Sequence, residues 1–124
     1  MEVSTQSSEL GQISDWRAEI IAAKDALRSM RSQLEQAVST KTNEDSLIQI
    51  EHFQNQFIRQ LEVADELNHD LKQSAKKITN NGQVAVLHDD RPVDNPDVLQ
   101  DRVQTFNRLY NELQHEFEAF IAFS

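Results

Sequence analysis

Residues 13–37 have the sequence ISDWRAEIIAAKDALRSMRSQLEQA, in which apolar residues recur at alternating steps of three and four. The positions that carry this repeat are Ile13, Trp16, Ile20, Ala23, Leu27, Met30, Leu34 and Ala37. On an α-helix this spacing places all of them along one stripe. The stretch therefore predicts a long amphipathic helix, helix A, whose apolar stripe packs against other helices.

Two later stretches carry the same repeat. One contains Leu99, Val103, Phe106, Tyr110, Leu113, Phe117 and Phe120, and the other contains Ile50, Phe53, Phe57, Ala64, Leu67, Leu71 and Ile78. The repeat also assigns Gln60 and Ser74 to inward positions. Three such helices predict an all-α fold, an up-down-up three-helix bundle in which helix B runs antiparallel to helices A and C. A sustained period near 3.5 residues predicts a left-handed supercoil.

Turn and capping residues set the predicted bounds of this single bundle domain, residues 9–124. Residues 1–8 are rich in Ser, Thr and Gln, which predicts a disordered leader, and helix A then covers about 9–39. Asn43 precedes two acids and is a typical N-cap, so helix B covers about 44–79 and ends at the Asn80 to Gly82 stop. After a long loop, 80–95, Asn95 and Pro96 start helix C, about 96–122.

The composition excludes several functional classes. The chain has 124 residues, a formal net charge of -9 and a pI near 4.8, which argues against binding to a nucleic-acid backbone. It has no cysteine, so disulfides, thiolate metal sites and a Cys nucleophile are impossible. No apolar run is long enough for membrane insertion, and the start does not resemble a signal peptide. These features predict a cytosolic or nuclear protein, and the location that we expect is the cytoplasm, with association with the cytoskeleton as one option.

Two Glu-x-x-His motifs have the spacing that di-iron bundles use, Glu66 with His69 and Glu112 with His115. The heptad pattern directs both pairs toward water, and the predicted bundle has three helices where such a site uses four. No Gly-rich phosphate loop is present, because the only glycines are Gly11 and Gly82. We therefore expect no enzyme activity, no catalytic residues, no metal and no cofactor.

The informative apolar residues are those outside the core stripes. Candidate protein-binding positions are Ile21, Ile48 and Ile58 on the outer helix faces, Val84, Val86 and Leu87 in the loop, and Phe120, Ile121 and Phe123 at the apolar C-terminal end. That end is expected to dock on the loop, pair with another copy, or join a further repeat. Leu47, Leu61, Val63 and Leu109 flank the stripes and are expected to widen the core. Trp16 and Tyr110 are interpreted as core residues and not as a ligand cage.

Helix C resembles the third helix of a spectrin repeat. The residues that carry this resemblance are Leu99, Arg102, Phe106, Asn107, Tyr110 and Leu113, with Trp16, Glu19 and Leu27 in helix A and Leu71, Ala75, Ile78 and Gly82 at the end of helix B. Tyr110 stands where the family usually has Trp. The resemblance implies a three-helix coiled coil in which the aromatic residues of helices A and C pack near one another. It also implies a rod within a cytoskeletal linker protein, with tandem repeats joined by a continuous helix.

Three functional hypotheses follow. The first is a structural and protein-protein interaction module, a spectrin-like rod spacer and docking surface whose partners are cytoskeletal or scaffold proteins or adjacent repeats. The second is a free-standing helical adaptor or regulatory bundle, as in membrane fusion, that binds an amphipathic helix in a loosely packed groove beside Gln60, Ala64 and Ser74. The third is a metal-dependent oxidase, based only on the Glu-x-x-His motifs. Self-association is compatible with the first two, and nucleic acid is not an expected partner.

Overall fold

The computed structural model describes residues 2–40, 43–79 and 95–122, with side chains from residue 8 onward. They form three helices: α1 (Glu2–Val38), α2 (Glu44–Thr79) and α3 (Pro96–Ala122). Within these ranges there is no strand. The protein is an all-helical three-helix bundle, and α2 and α3 span the residues predicted for helices B and C.

Side-chain caps define the two clearest helix starts. The Asn43 side-chain oxygen accepts a hydrogen bond from the Ser46 backbone N–H at 2.8 Å, and that of Asn95 accepts one from the Val98 N–H at 2.9 Å. Each bond satisfies a backbone donor that has no partner within its helix. Carboxylates in the first turn of α2 and α3 add a favourable interaction with the helix dipole.

The start of α1 differs from the prediction. The structure has helix from Glu2, whereas the sequence predicted a disordered leader over residues 1–8 and a helix from residue 9. No proline interrupts this segment, and extending an existing helix by one residue is far less costly than nucleating a new one. Gly11 therefore lies inside α1, where an added Cβ would meet no atom within 4 Å.

The core is formed by the apolar stripes that the heptad repeat predicts. The largest fully buried side chains are Phe57, Phe106, Phe117, Ile20, Leu27, Leu34, Leu67, Leu71, Leu99 and Val103. Gln60 and Ser74 are also buried, at the inward positions that the repeat assigns to them. The three helices thus close a single continuous core in which two layers contain a polar side chain.

The interfaces between the helices differ in character. α1 and α2 approach most closely over the greatest length, and small residues of the core such as Ala23 and Ala64 permit this. α2 and α3 meet through phenylalanines, with the Phe117 ring centroid 5.5 Å from that of Phe53 and 5.2 Å from that of Phe57. Both pairs are edge-to-face, a favoured arrangement of aromatic rings. The α2 and α3 backbones approach each other over a shorter length than those of α1 and α2.

Polar contacts between described residues of different helices flank this core. The Arg17 Nε donates to the Asn68 side-chain oxygen at 3.1 Å, and Lys24 forms an ion pair with Asp65. The Arg102 guanidinium donates to the Asp70 carboxylate at 2.9 Å. The Asn107 amide donates to the Glu19 carboxylate at 3.3 Å. These contacts join α1 to α2, α2 to α3, and α1 to α3.

Two of the four residues expected to widen the core do not do so. Leu61 and Val63 pack against it, as predicted, but Leu47 and Leu109 are exposed. Leu47 lies in the first turn of α2, where little of the bundle remains to cover it. Leu109, on α3, is 39% exposed.

Trp16 and Tyr110 both pack against the core but remain half-buried. Tyr110 stacks on Phe106 of its own helix, with ring centroids 6.3 Å apart. Among the described residues, no ring contact joins Tyr110 to Trp16, although both pack against the same core. Burial raises the pKa of the Tyr110 phenol, and the nearby Glu118 carboxylate raises it further.

No helix in the described ranges is both long enough and apolar enough to cross a membrane. The predicted loop, with Val84, Val86 and Leu87, lies outside the described residues except for Asn95. So do Phe123 and the predicted stop of helix B at residues 80–82.

Candidate protein-docking surface

Seven large apolar side chains are exposed on the described surface of the bundle: Ile21, Val38, Leu47, Ile48, Ile58, Val98 and Leu109. Ile21, Ile48 and Ile58, which the sequence predicted to face outward, are 46%, 59% and 45% exposed. The other four were not predicted as surface sites. Single exposed apolar residues are common, so their arrangement matters more than their number.

Four of these seven side chains lie on two facing helix stripes. The first, here called the α1 stripe, consists of Arg17, Ile21, Lys24, Arg28, Arg31, Glu35 and Val38. The second, the α2 stripe, consists of Leu47, Glu51, Gln54, Ile58, Leu61, Asp65 and Asn68. Within each stripe the spacing alternates between four and three residues, so each forms one continuous line along its helix.

Polar contacts show that the two stripes face each other across the seam between α1 and α2. Arg17 and Lys24 of the α1 stripe contact Asn68 and Asp65 of the α2 stripe. Farther along, Arg31 and Ile58 line the same groove. We call the surface formed by the two stripes the α1–α2 face.

The groove in this face has a volume of about 260 Å³. It is lined by Arg31, Leu34, Glu35, Gln54, Asn55 and Ile58. Leu34 is almost completely buried and forms the apolar floor, whereas Ile58 stands exposed at the rim. The groove is open to solvent.

Helix α3 leaves this face uncovered. Among the described residues, its polar contacts to the other helices include Asn107 with Glu19 and Arg102 with Asp70, and neither Glu19 nor Asp70 belongs to a stripe. The exposure of Ile21 and Ile58 agrees with this, since no described residue of α3 shields them. The α1–α2 face is therefore an outer seam of the described bundle, on the side of α1 and α2 away from α3.

The charge on the α1 stripe contrasts with the charge of the chain. All four Lys and Arg residues of α1 lie on this stripe, although the whole chain has a net charge of -9. Lys24 is paired with Asp65 across the seam, and Arg28 contacts Asp25 of its own helix at 3.6 Å. Within the described residues, Arg31 has no carboxylate partner. The segment from Arg17 to Arg31 is thus cationic, with Ile21 inside it.

The other predicted site residues are not part of this face. Ile48 is exposed but lies on neither stripe, and Phe120 and Ile121 are half-buried against the core instead of forming a free apolar end. The Phe120 ring lies 5.3 Å from that of Phe53, which explains this partial burial. Sequence reasoning considered Ile21 and Ile58 singly and missed the cationic stripe, although its three-four spacing is visible in the printed sequence.

The side chains of Gln60, Ala64 and Ser74, beside which a loosely packed groove is expected, are buried and face the core. Among the described residues, the Gln60 Oε1 atom has no hydrogen-bond partner. The open groove beside Ile58 lies on the outer face of α2, two residues before Gln60. A groove beside the three buried residues stays a prediction.

The two Glu-x-x-His motifs lie apart from this groove. Glu66, Glu112 and His115 are exposed and His69 is half-buried, and Glu112 contacts Arg108 at 3.7 Å. In the described part of the chain, no group of three or more His, Asp or Glu side chains is arranged to hold a metal ion. A zinc or iron centre needs several such ligands around one point.

A metal titration tests this interpretation of the motifs. A metal that binds only the native state raises the melting temperature. Since we expect no metal site, Zn²⁺ or Fe²⁺ should leave the melting temperature of the wild-type protein unchanged. The Glu66→Ala/His69→Ala variant, compared with and without metal, is the matched control. A metal-dependent increase in Tm that the double substitution removes would contradict the prediction.

Comparisons with known proteins do not assign the chain to a family. No protein-family model, no curated protein and no solved structure matches the chain significantly.

Proposed function

We propose that this chain is a structural and protein-protein interaction module without enzyme activity, a spectrin-like repeat that acts as a rod spacer and docking surface in the cytoplasm. In this proposal the bundle is up-down-up and left-handed. Its partners are cytoskeletal or scaffold proteins, or adjacent repeats of a longer chain. The core provides stiffness, and the outer helix faces provide the docking sites.

Contacts along the helices support the up-down-up arrangement. Arg17 of α1 contacts Asn68 of α2, whereas Arg31, farther along α1, lies beside Ile58, which comes earlier in α2. Such a reversed order is what antiparallel helices produce. In the same way, Asp70 contacts Arg102 while the earlier Phe57 contacts the later Phe117.

Two residues of the spectrin-like pattern make contacts that support the resemblance. Arg102 bonds to Asp70 of α2, and Asn107 bonds to Glu19 of α1, itself one of the pattern residues. These positions therefore link helices. The departure from the family pattern is Tyr110, which stands where the family usually has Trp.

The observation that carries the proposal is the exposed apolar surface outside a core that is already closed. The buried residues of all three helices form one cluster, so the bundle does not need the exposed residues for its own packing. Four of those residues nevertheless lie on one face, and one of them, Ile58, lines an open groove. Apolar surface of this kind, with polar residues around it, is typical of protein interaction sites.

The same groove favours a second candidate function. A helical adaptor binds an amphipathic helix of a partner between two of its own helices. The groove lined by Leu34 and Ile58 has the position that such a partner would use. The adaptor differs from the spacer in acting as a free-standing small protein.

Affinity capture with a matched variant tests the proposed interaction function. We expect the tagged wild-type domain to retain specific proteins from its native lysate, and the Ile21→Asp/Ile48→Asp/Ile58→Asp variant to lose them. Since the three side chains are exposed, the variant should keep its melting temperature within a few degrees. Identical capture by both proteins, or no specific capture by either, would contradict the proposal.

An immunoblot of the native polypeptide separates the two candidates. A band many times larger than 14.3 kDa supports a repeat within a long linker protein. A band near 14.3 kDa supports the free-standing adaptor.

A further inference from the structure

We infer that the α1–α2 face is the docking site for an acidic amphipathic helix of a partner protein. This inference rests on the proposed interaction function and specifies the partner's chemistry. The docked helix would lie along the seam between α1 and α2, as a fourth helix on the side that α3 leaves uncovered. Its apolar side chains would contact Ile21, Ile58 and Leu61, and its carboxylates would contact the arginines of the α1 stripe.

The spacing of the apolar residues on the α1–α2 face matches the spacing of apolar residues on an amphipathic helix. Ile58 and Leu61 are three residues apart on α2, and Ile21 lies on the facing stripe of α1. A helix laid along the seam presents apolar residues at steps of three and four, which is how amphipathic helices bind in grooves. The groove above Leu34 accepts one of these side chains.

The charges on the α1–α2 face favour a partner helix that is negatively charged. Arg17 contacts a neutral amide across the seam, Arg28 contacts only a carboxylate on its own helix, and Arg31 has no carboxylate partner among the described residues. Their positive charge is therefore only partly balanced by α2, where Asp65 is already paired with Lys24. Guanidinium groups bind carboxylates in a directional, bidentate way. An acidic helix complements this surface, and a basic one is repelled.

The size of the cationic segment sets the length of the partner. Arg17 and Arg31 are about 21 Å apart along α1, at a rise of about 1.5 Å per residue. A helix of about 15 residues spans this distance. Beyond Arg31 the charge on the face becomes negative, because the charged residues there are Glu35 and Glu51. The acidic part of the partner is therefore confined to the segment between Arg17 and Arg31.

A designed peptide pair provides the probe. One peptide of about 15 residues carries leucines at steps of three and four with glutamates beside them, and the other has lysine in place of every glutamate. NMR spectra of the ¹⁵N-labelled protein are recorded during titration with each peptide. We expect the acidic peptide to shift amide signals within residues 17–38 and 47–68. We expect its binding to weaken when NaCl is raised from about 0.05 to about 0.3 M, since salt screens the ion pairs.

Charge reversal makes the test specific. In Arg28→Glu/Arg31→Glu the acidic peptide should bind about tenfold more weakly, and the lysine peptide about tenfold more tightly than it binds the wild-type protein. Ile58→Asp should also weaken binding of the acidic peptide about tenfold, because it places a carboxylate at the groove. Melting temperatures of all variants establish that they remain folded.

Ile48→Asp and Arg108→Glu are the matched controls, since both residues are exposed and lie outside the two stripes. Neither should change the affinity for the acidic peptide. The inference is overturned if the peptide does not bind, if the shifts lie on α3, or if the controls weaken binding as much as the stripe variants. It is also overturned if sedimentation shows that a second copy occupies the face.

The two proposals fail in different ways. If partner capture from lysate is lost in Ile48→Asp but not in Arg28→Glu/Arg31→Glu, the interaction function is supported and the acidic-helix site is overturned. If the wild-type domain captures no partner, the interaction function itself is contradicted, whatever the peptide does.

Discussion

Replacement of Phe57 by alanine is expected to lower the free energy of unfolding by about 3–5 kcal/mol. The Phe57 side chain is completely buried, and its ring packs against Phe53 and Phe117. The substitution removes apolar contacts and leaves a cavity at the α2 and α3 interface, where phenylalanine rings provide much of the contact. Urea denaturation followed by circular dichroism at 222 nm measures the loss. Because small domains have a total stability of only about 5–15 kcal/mol, the variant should unfold at a much lower urea concentration.

Ile48→Ala is the control for this substitution. It truncates an apolar residue on the same helix that is 59% exposed, so the free energy of unfolding should change by less than about 0.5 kcal/mol. A loss of less than about 1 kcal/mol in Phe57→Ala would contradict the described core, because a fully buried aromatic residue cannot be removed so easily.

Replacement of Gln60 by methionine is expected to raise the free energy of unfolding by about 1–3 kcal/mol. The Gln60 side chain is 7% exposed, and its Oε1 atom has no hydrogen-bond partner among the described residues. A buried polar atom without a partner loses its hydration on folding and gains nothing in return. Methionine has a similar length and a comparable helix propensity, so the substitution removes the polar group while largely preserving the packing. Urea denaturation again provides the measurement.

Gln54→Met is the matched control, because Gln54 is on the same helix and exposed. Its effect should stay within about 0.5 kcal/mol. A neutral or destabilising effect of Gln60→Met would contradict the prediction. It would mean that the Oε1 atom has a hydrogen-bond partner in solution and that Gln60 does not destabilise the core. Sedimentation of the variant shows whether Gln60 also helps to specify the oligomeric state, as single polar core residues do in coiled coils.

Much of the fold follows from the sequence through local rules. The three-four repeat identifies the helices and the residues that they bury, including Leu27, Phe106 and the polar Gln60. The Asn43 and Asn95 caps are visible as well, because capping depends on neighbours only three residues away. The structure has helix from Glu2, whereas the sequence predicted a leader over residues 1–8. Composition indicated the leader, but an existing helix extends at low cost.

The docking surface required the tertiary structure. Leu47 and Leu61 occupy equivalent flanking positions in the repeat, yet only Leu61 packs against the core. Sequence spacing places a residue on one side of its own helix, but the position and distance of the neighbouring helix decide whether that side is covered. Likewise, the sequence determined that the cations of α1 share a stripe, whereas only the packing of α1 on α2 decided that this stripe borders Ile58 and an open groove. Periodicity is a property of one helix, and a surface between two helices depends on their relative register, which local rules do not encode.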